Sequence, residues 1–382
     1  MHPRLFDLTE AQALVRDTAR SYAQKTLAPV AGELDRQGCF PLEQLADLAE
    51  LGLMGVNVPE QYGGAAAGAV AYALAMMEIA QGCASTAVTM AVNNLVAETI
   101  VRFGTEEQKW RYVPEITSGR FVAASFGLSE SHAGSDAGAL RTSARRDGAE
   151  YVLNGSKQWI TSGDRAGVII VWARTGEPGT RGISAFLVEG GSKGLHVGRH
   201  EDKMGLRASS TVSLSFEDMR VPASAMLGEE GRGFPIALSA LDSGRVGIAC
   251  QAIGIGNAAL AASVRYAKDR KAFGQPIASF QAIQFMLADV ATDLEAATLL
   301  ALRAAALKEA GKSFTREGSM AKVFATEKAN RACEIGVQVH GGYGYLDEFP
   351  VERHYRDARI TTIYEGSSEI QRIVIARNLL SD

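Results

Sequence analysis

The 382-residue sequence is short of the residues that build metal centres, disulfide frameworks and nucleic-acid surfaces. It has four cysteines and six histidines. Cys39, Cys83, Cys250 and Cys333 lie far apart and form no Cys-x-x-Cys pair. They are expected as reduced core thiols of a cytosolic-type protein. Lys and Arg (39) nearly balance Asp and Glu (43), so no broad basic surface is implied and nucleic acid is not an expected partner. The stretch MHPRLFDLTEAQ lacks the apolar core of a signal peptide and is not Arg/Ser-rich like a transit peptide. Long apolar runs are scarce. One, VGIACQAIGIGNAALAASV at 246–264, is almost long enough to span a bilayer. It contains Gln251 and Asn257 and is flanked by Asp242, Arg245 and Arg265, so a buried helix is expected and no membrane partner.

What is present suits a large core, since 47% of residues are hydrophobic and the chain is long enough for two or three domains. Thr9-x-x-Gln12 and Thr105-x-x-Gln108 have capping-box spacing. A helix is expected from the first to about residue 36. Pro41 fits the first position of another and Gly52 its end. Near Phe121 the character changes. Asp147-Gly148 and Asn154-Gly155 are hairpin signals between alternating segments, and GVIIVWART, GISAFLVEG and STVSLSF continue the strand pattern to about 217. From Phe234 apolar spacing of three and four predicts helices over 235–268, 279–311 and 316–339. The expected fold class is α+β: an N-terminal helical domain (1–120), a middle antiparallel β-barrel or sandwich domain (121–230) and a C-terminal four-helix bundle domain (231–382).

Several motifs have plain readings. Gly254-Ile-Gly256 lies inside a helix pattern, so close packing explains it better than dinucleotide binding. His196 and His200 sit in a strand-turn region and are expected at the surface, not on a metal. Ser131, His132 and Asp136 lack a nucleophile elbow, which sets hydrolysis aside. FGLSESHAGSD at 126–136 enters a Gly/Ser-rich turn whose N–H groups and hydroxyls suit phosphate or flavin heteroatoms, although taken alone an ordinary turn is the plainer reading. Glu365 and Glu369 stand four apart in TTIYEGSSEIQRIV. Glu369 opens a helix, where a carboxylate is favoured. Glu365 precedes it and has no such reason to be there; on its residues alone it reads as a solvated loop acid.

Taken in order, FGLSESHAGSDAG, YVLNGSKQWITSG, DKMGLRASST, RKAFGQPIASFQAIQ and QVHGGYGYLDEFPVERHYRDARITTIYEGSSEIQR resemble the acyl-CoA dehydrogenase family from end to end. The stretches GCASTAVTMAVNN and LDSGRVGIACQAIGIG are most similar to its short-chain, butyryl-type branch. The resemblance implies FAD as cofactor. Residues 126–135, among them Phe126, Leu128, Ser129, Gly134 and Ser135, would contact the flavin, with Ser129 bonding the ring. Trp159, Ile160 and Thr161 would flank it, and Ser367 and Glu369 would also reach the cofactor. Arg270, Ala272, Phe273 and Gln281, with Gln338, Gly341 and Gly342, would hold its ADP part across a subunit interface of a homotetramer. Ser135, Asp242, Arg245 and Gly366 would contact acyl-CoA. Relatives commonly have Pro-Gly where this chain has Ser131-His132, which changes the local turn chemistry.

By the same resemblance Glu365 is the catalytic base. The chemistry agrees. Oxidising an acyl thioester between Cα and Cβ removes a proton and a hydride, and no side chain accepts a hydride. A free glutamate, with a pKa of about 4.3, is too weak a base for a carbon acid. Burial would raise that value toward the working pH. Some relatives carry the base on the long helix instead, where this chain has Gly244. The expected product is a trans-2-enoyl-CoA, the expected electron acceptor electron-transfer flavoprotein. A short branched acyl-CoA, or an acyl-CoA oxidase on the same scaffold, is the alternative. The expected location is cytoplasmic in a bacterium, or the mitochondrial matrix for a processed chain.

Overall fold

The computed structural model describes residues 8–381; the first seven residues, part of the stretch read for a leader, lie outside it. Helix α1 (Glu10–Tyr22) opens on the expected capping box. Thr9 Oγ1 accepts from Gln12 N at 3.2 Å, and Gln12 Oε1 accepts from Thr9 N at 3.1 Å. The helix does not run unbroken to residue 36. A wider π turn (Ala23–Leu27), closed by Ala28 N on Ala23 O, precedes α2 (Ala28–Gln37). Pro29 explains it, because its missing N–H and its ring are incompatible with an ordinary α turn behind it.

Helices α3 (Leu42–Glu50), α4 (Gly68–Gly82), α5 (Ala84–Phe103) and α6 (Glu106–Thr117) complete the N-terminal helical part. Gly52 (φ 74°) follows α3, and the Thr105/Gln108 capping box opens α6. Cys83 is extended and divides α4 from α5.

The sheet follows: β1 (Ala123–Gly127), β2 (Ser143–Asp147), β3 (Glu150–Thr161), β4 (Ala166–Arg174), β5 (Ile183–Glu189), β6 (Leu195–His200), β7 (Thr211–Pro222) and β8 (Met226–Leu227). The order is β6-β7-β3-β2-β4-β5-β8, with β1 beside β4. It is mainly antiparallel, but β1 runs parallel to β4, as does the single β2–β4 residue pair. Asp147-Gly148 turns the β2–β3 hairpin, with Asp147 opposite Glu150. Asn154-Gly155 does not turn. β3 runs straight through it, and the register against β7 shifts between Leu153 and Gly155, which is a bulge. The reason is cross-strand. Asn154 Nδ2 donates to Asp218 Oδ1 (3.1 Å) and its Oδ1 accepts from Asp218 N (2.9 Å), so the amide is spent on β7 and not on a turn.

The C-terminal part holds α7 (Gly233–Asp269), a short hairpin of β9 (Lys271–Ala272) and β10 (Gln275–Pro276), α8 (Gln281–Glu309), α9 (Thr315–His340), α10 (Val351–Arg359) and α11 (Ser368–Leu380). Alanines let these helices pack closely. Ala249, Ala297, Ala301, Ala321 and Ala325 share one core with Met76 of α4. A Cβ on Gly254 would lie 2.3 Å from Met77 O, and one on Gly256 2.6 Å from Leu294 Cδ2, so both glycines serve helix approach. The apolar stretch of α7 is internal, with 83% of its most apolar window buried. Trp172 Nε1 donates to Gly233 O at 2.7 Å and ties the sheet to α7.

Cys83, Cys250 and Cys333 are buried, but Cys39 is exposed. It follows Gly38, the left-handed cap that ends α2, and so falls outside the helix's inward stripe. His196 and His200 are at the surface, near Glu217 (3.6 Å) and Asp164 (3.4 Å). Among the described residues no group of His, Cys, Asp and Glu is arranged to hold a metal.

Candidate active site

Glu365 sits on the bend between α10 and α11 in a left-handed conformation (φ 53°), followed by Gly366 (φ 91°). A non-glycine residue in this region is uncommon and must be held there by its surroundings. The carbonyls of the bend are pinned. Gly366 O accepts from Lys322 Nζ of α9 and from Gln371 Nε2 of α11, both at 2.8 Å. Gln371 Nε2 also reaches Glu365 O at 3.3 Å. On the other side Tyr364 OH donates to Gln251 Oε1 of α7, and Gln251 Nε2 donates to Ala84 O at 2.9 Å.

The spacing Ser368-x-x-Gln371 suggests a capping box, but the N-cap is Ser367 and no side chain caps the helix. The Gln371 amide that would reach back to the cap is used on the Glu365 bend. Glu369 is exposed in the first turn of α11, with its carboxyl held below the usual range by the Ser367 hydroxyl and its own backbone.

The Glu365 carboxyl points the other way. Its Oε2 is buried and has no hydrogen-bond partner. It lies against Gly244 of α7, where a Cβ would stand only 1.8 Å from Oε2. Desolvation pushes the carboxyl up to about 7, opposed by the charges of Lys322 and Arg245. Arg245 is buried (4% exposed), not part of a surface salt bridge as its spacing from Asp242 suggests. Its Nη1 donates to Asp242 Oδ1 (2.6 Å) and Ser319 Oγ (3.3 Å), and its Nε has no partner. Asp242 also accepts from Thr315 Oγ1 at 2.7 Å. Nearby, a cleft of about 320 Å³ is lined by Leu95, Glu98, Arg102, Ser239, Ser243 and Lys308, among others.

A second cluster surrounds the turn after β1. Phe126 packs on Trp172 (4.3 Å between rings), and Leu128 is buried. Ser129 is half-buried, and its carbonyl accepts from Gln158 N at 2.9 Å. Gly134 and Ser135 are exposed, with nothing within 4 Å of a Cβ built on Gly134. Trp159 is 55% exposed at φ 58°, contrary to the core position its residue type suggests, and is flanked by buried Ile160 and half-buried Thr161. The hydroxyl of Ser162 is buried without a partner.

Beneath this turn lies an ion pair that sequence reading missed. Lys157, fully buried in β3, donates to Glu130 Oε1 (2.8 Å) and Leu128 O (3.1 Å). Glu130 also accepts from Arg141 N (2.7 Å) and Thr142 N (2.9 Å). Burial lowers Lys157 to about 8. Burial also opposes the charge on Glu130, yet Lys157 and the backbone donors bring that carboxyl down to about 2. Ser131 and His132 are exposed above the pair, with His132 Nε2 3.7 Å from Glu130 Oε2. Lys157→Met leaves a buried carboxylate unpaired and is expected to cost about 3–5 kcal/mol. Urea denaturation checks this, and a loss under 1 kcal/mol contradicts it.

A third cluster lies at the far end of α7 and α9. Arg270 stands over the Tyr343 ring (5.4 Å) beside a cleft of about 430 Å³ that Gly341 and Gly342 also line. Ala272 and Phe273 sit on the β9–β10 hairpin, Phe273 at 96% exposure. Gln281 and Gln338 are exposed on α8 and α9.

A helical frame around one β layer, with the partnerless Glu365 carboxyl raised toward neutrality beside Gly244, defines an acid–base site. The family is settled by comparison. Descriptions of the acyl-CoA dehydrogenase N-terminal, middle and C-terminal domains match residues 9–120, 125–219 and 231–380. The chain belongs to the acyl-CoA dehydrogenase family and is an oxidoreductase of that family.

It is 51% identical over 376 residues to the short-chain specific acyl-CoA dehydrogenase of Bos taurus mitochondria, covering 98% of this chain and 91% of that protein. The butyryl-CoA dehydrogenase structure from Megasphaera elsdenii superposes with a TM-score of 0.96 at 43% identity, covering 98% and 99% of the two chains. A structure described as the electron transferring flavoprotein of Acidaminococcus fermentans contains a chain matching with a TM-score of 0.97 at 44% identity, covering 99% and 100%.

Proposed function

We propose that this chain oxidises a short-chain acyl-CoA to the trans-2-enoyl-CoA, with Glu365 as the base that takes the α-proton. The observation that carries the reading is the partnerless buried Oε2 of Glu365, raised to about 7. Such a group is largely protonated in mild acid and becomes a stronger base than a free glutamate above neutrality. Glu365 N–H has no acceptor among the described residues, which leaves it available to the thioester oxygen. There it would stabilise enolate character as the proton leaves.

The residues present fit FAD. Trp159 is an open aromatic shelf, and three residues on, the buried Ser162 hydroxyl lacks a partner among the described residues. Gly134, Gly341 and Gly342 have empty space where a Cβ would stand, so backbone can approach a ligand. Phe126, Leu128, Ser129, Ser135, Ile160 and Thr161 would hold the ring side with Ser367 and Glu369. Arg270 would pair with pyrophosphate oxygens, supported by Ala272, Phe273, Gln281 and Gln338. Bound FAD would supply the acceptor for the β-hydride. Phe273 (96% exposed) and Phe285 (62% exposed) leave apolar surface near this segment, in keeping with a homotetramer. Asp242, Arg245 and Gly366 would contact substrate from the Glu365 side. The Acidaminococcus likeness supports electron-transfer flavoprotein as the acceptor.

Anaerobic titration of the purified protein with acyl-CoAs of increasing length tests the reading. Bleaching of the flavin band is expected, strongest with butyryl-CoA. Rapid oxygen consumption during turnover would indicate an oxidase, and a colourless protein not rescued by FAD would end the proposal.

A further inference from the structure

Lys322 is one of the largest fully buried side chains in the molecule, at 0% exposure. A lysine in that position carries a large desolvation cost and is rarely retained without a partner. Its single hydrogen bond runs to the Gly366 carbonyl, 2.8 Å away, one residue past Glu365. No carboxylate forms an ion pair with it among the described residues.

We propose that Lys322 is a positioning residue for Glu365: its ammonium clamps the left-handed Glu365–Gly366 bend and is a principal cation facing the carboxylate. The inference rests on the reading of Glu365 as the base, and deepens it.

Two observations support the clamp. The bend is strained at Glu365, so its carbonyls need fixed partners, and among the described residues only Lys322 and Gln371 supply them. A mobile bend would swing the carboxyl away from the site. Among the described residues the charged and titratable groups around the carboxyl are few. They are Lys322 on α9, Arg245 with Asp242 on α7, Tyr72 on α4 and Tyr364 on the bend itself. Glu369 and Glu327 act on Lys322 from α11 and α9. Arg245 is already committed to Asp242 at 2.6 Å, which leaves Lys322 as the cation without a carboxylate of its own. Burial raises Glu365, and the charge of Lys322, with that of Arg245, opposes the rise.

The experiment uses FAD-loaded protein and two readouts. Infrared titration follows the protonated carboxyl band of Glu365, identified by its disappearance in Glu365→Gln. Stopped-flow bleaching by butyryl-CoA follows the rate against pH. Lys322→Met is expected to keep the flavin spectrum and to raise the Glu365 midpoint by ~1 unit. The bleaching rate at pH 7 should then fall at least ~5-fold and recover in part as pH rises. Lys322→Gln can still donate to Gly366 but carries no charge. It should show the same midpoint shift with a smaller loss of rate, and it decides the matter if the methionine variant does not fold. Lys322→Arg should restore the midpoint toward wild type.

An unmoved infrared midpoint in the uncharged variants overturns the role of Lys322, whatever happens to thermal stability. A moved midpoint with bleaching unchanged in Glu365→Gln overturns the base reading instead, so the two failures are separable.

Discussion

Glu365→Gln is expected to retain FAD and lower the rate of flavin bleaching by butyryl-CoA by ~10²–10⁴-fold. The amide is nearly isosteric and cannot accept the α-proton. In the wild-type protein the rate should climb as pH rises through about 7, where the carboxyl ionises. The glutamine variant should lose that limb. Stability follows the opposite sign. An unfolded glutamate releases its proton near 4.5, whereas the native one keeps it to about 7. The native state therefore binds more protons in that window, and the stabilisation, complete below 4.5, is gone by about pH 7. Thermal melts of wild type and variant between pH 4 and 8 should show the difference. Unchanged bleaching by the variant removes Glu365 from its role.

The second large effect is expected from Gly244→Ala. In an ordinary helix interior this exchange is stabilising by about 1 kcal/mol. Here the added methyl would stand 1.8 Å from Glu365 Oε2. The carboxyl is the movable partner, so it must turn aside while the helix stays. A displacement of this size is expected to lower the bleaching rate by ~10²-fold. FAD absorbance and the far-ultraviolet helix signal should remain. Full activity in the alanine variant would mean that the carboxyl works from somewhere other than the face of α7.

Much of this was legible from spacing. Both capping boxes, the Asp147-Gly148 hairpin and the extents of α7, α8 and α9 follow from local patterns, because their stabilising contacts are local. The errors share a different cause. Asn154-Gly155 reads as a turn until Asp218 on β7 claims its amide. Ser368 reads as a cap until Gln371 is drawn to the Glu365 bend. Cys39 reads as core until the left-handed Gly38 ends the helix before it. In each case a contact or backbone state outside the motif decides. The site divides likewise. Glu365 was marked by family resemblance and by its odd place before a helix. Lys157 and Lys322 hydrogen-bond residues 29 and 44 positions away, and their work is invisible without the fold.

The left-handed backbone at Glu365 has one more implication. Glycine would adopt that bend freely, and any uncharged side chain would avoid the burden of an ion kept from water. A polypeptide selected for durability alone would therefore have neither the glutamate nor the twist. The acid is the weak tile in its own mosaic, tolerated because α7, α9 and α11 grip the residues on either side of it.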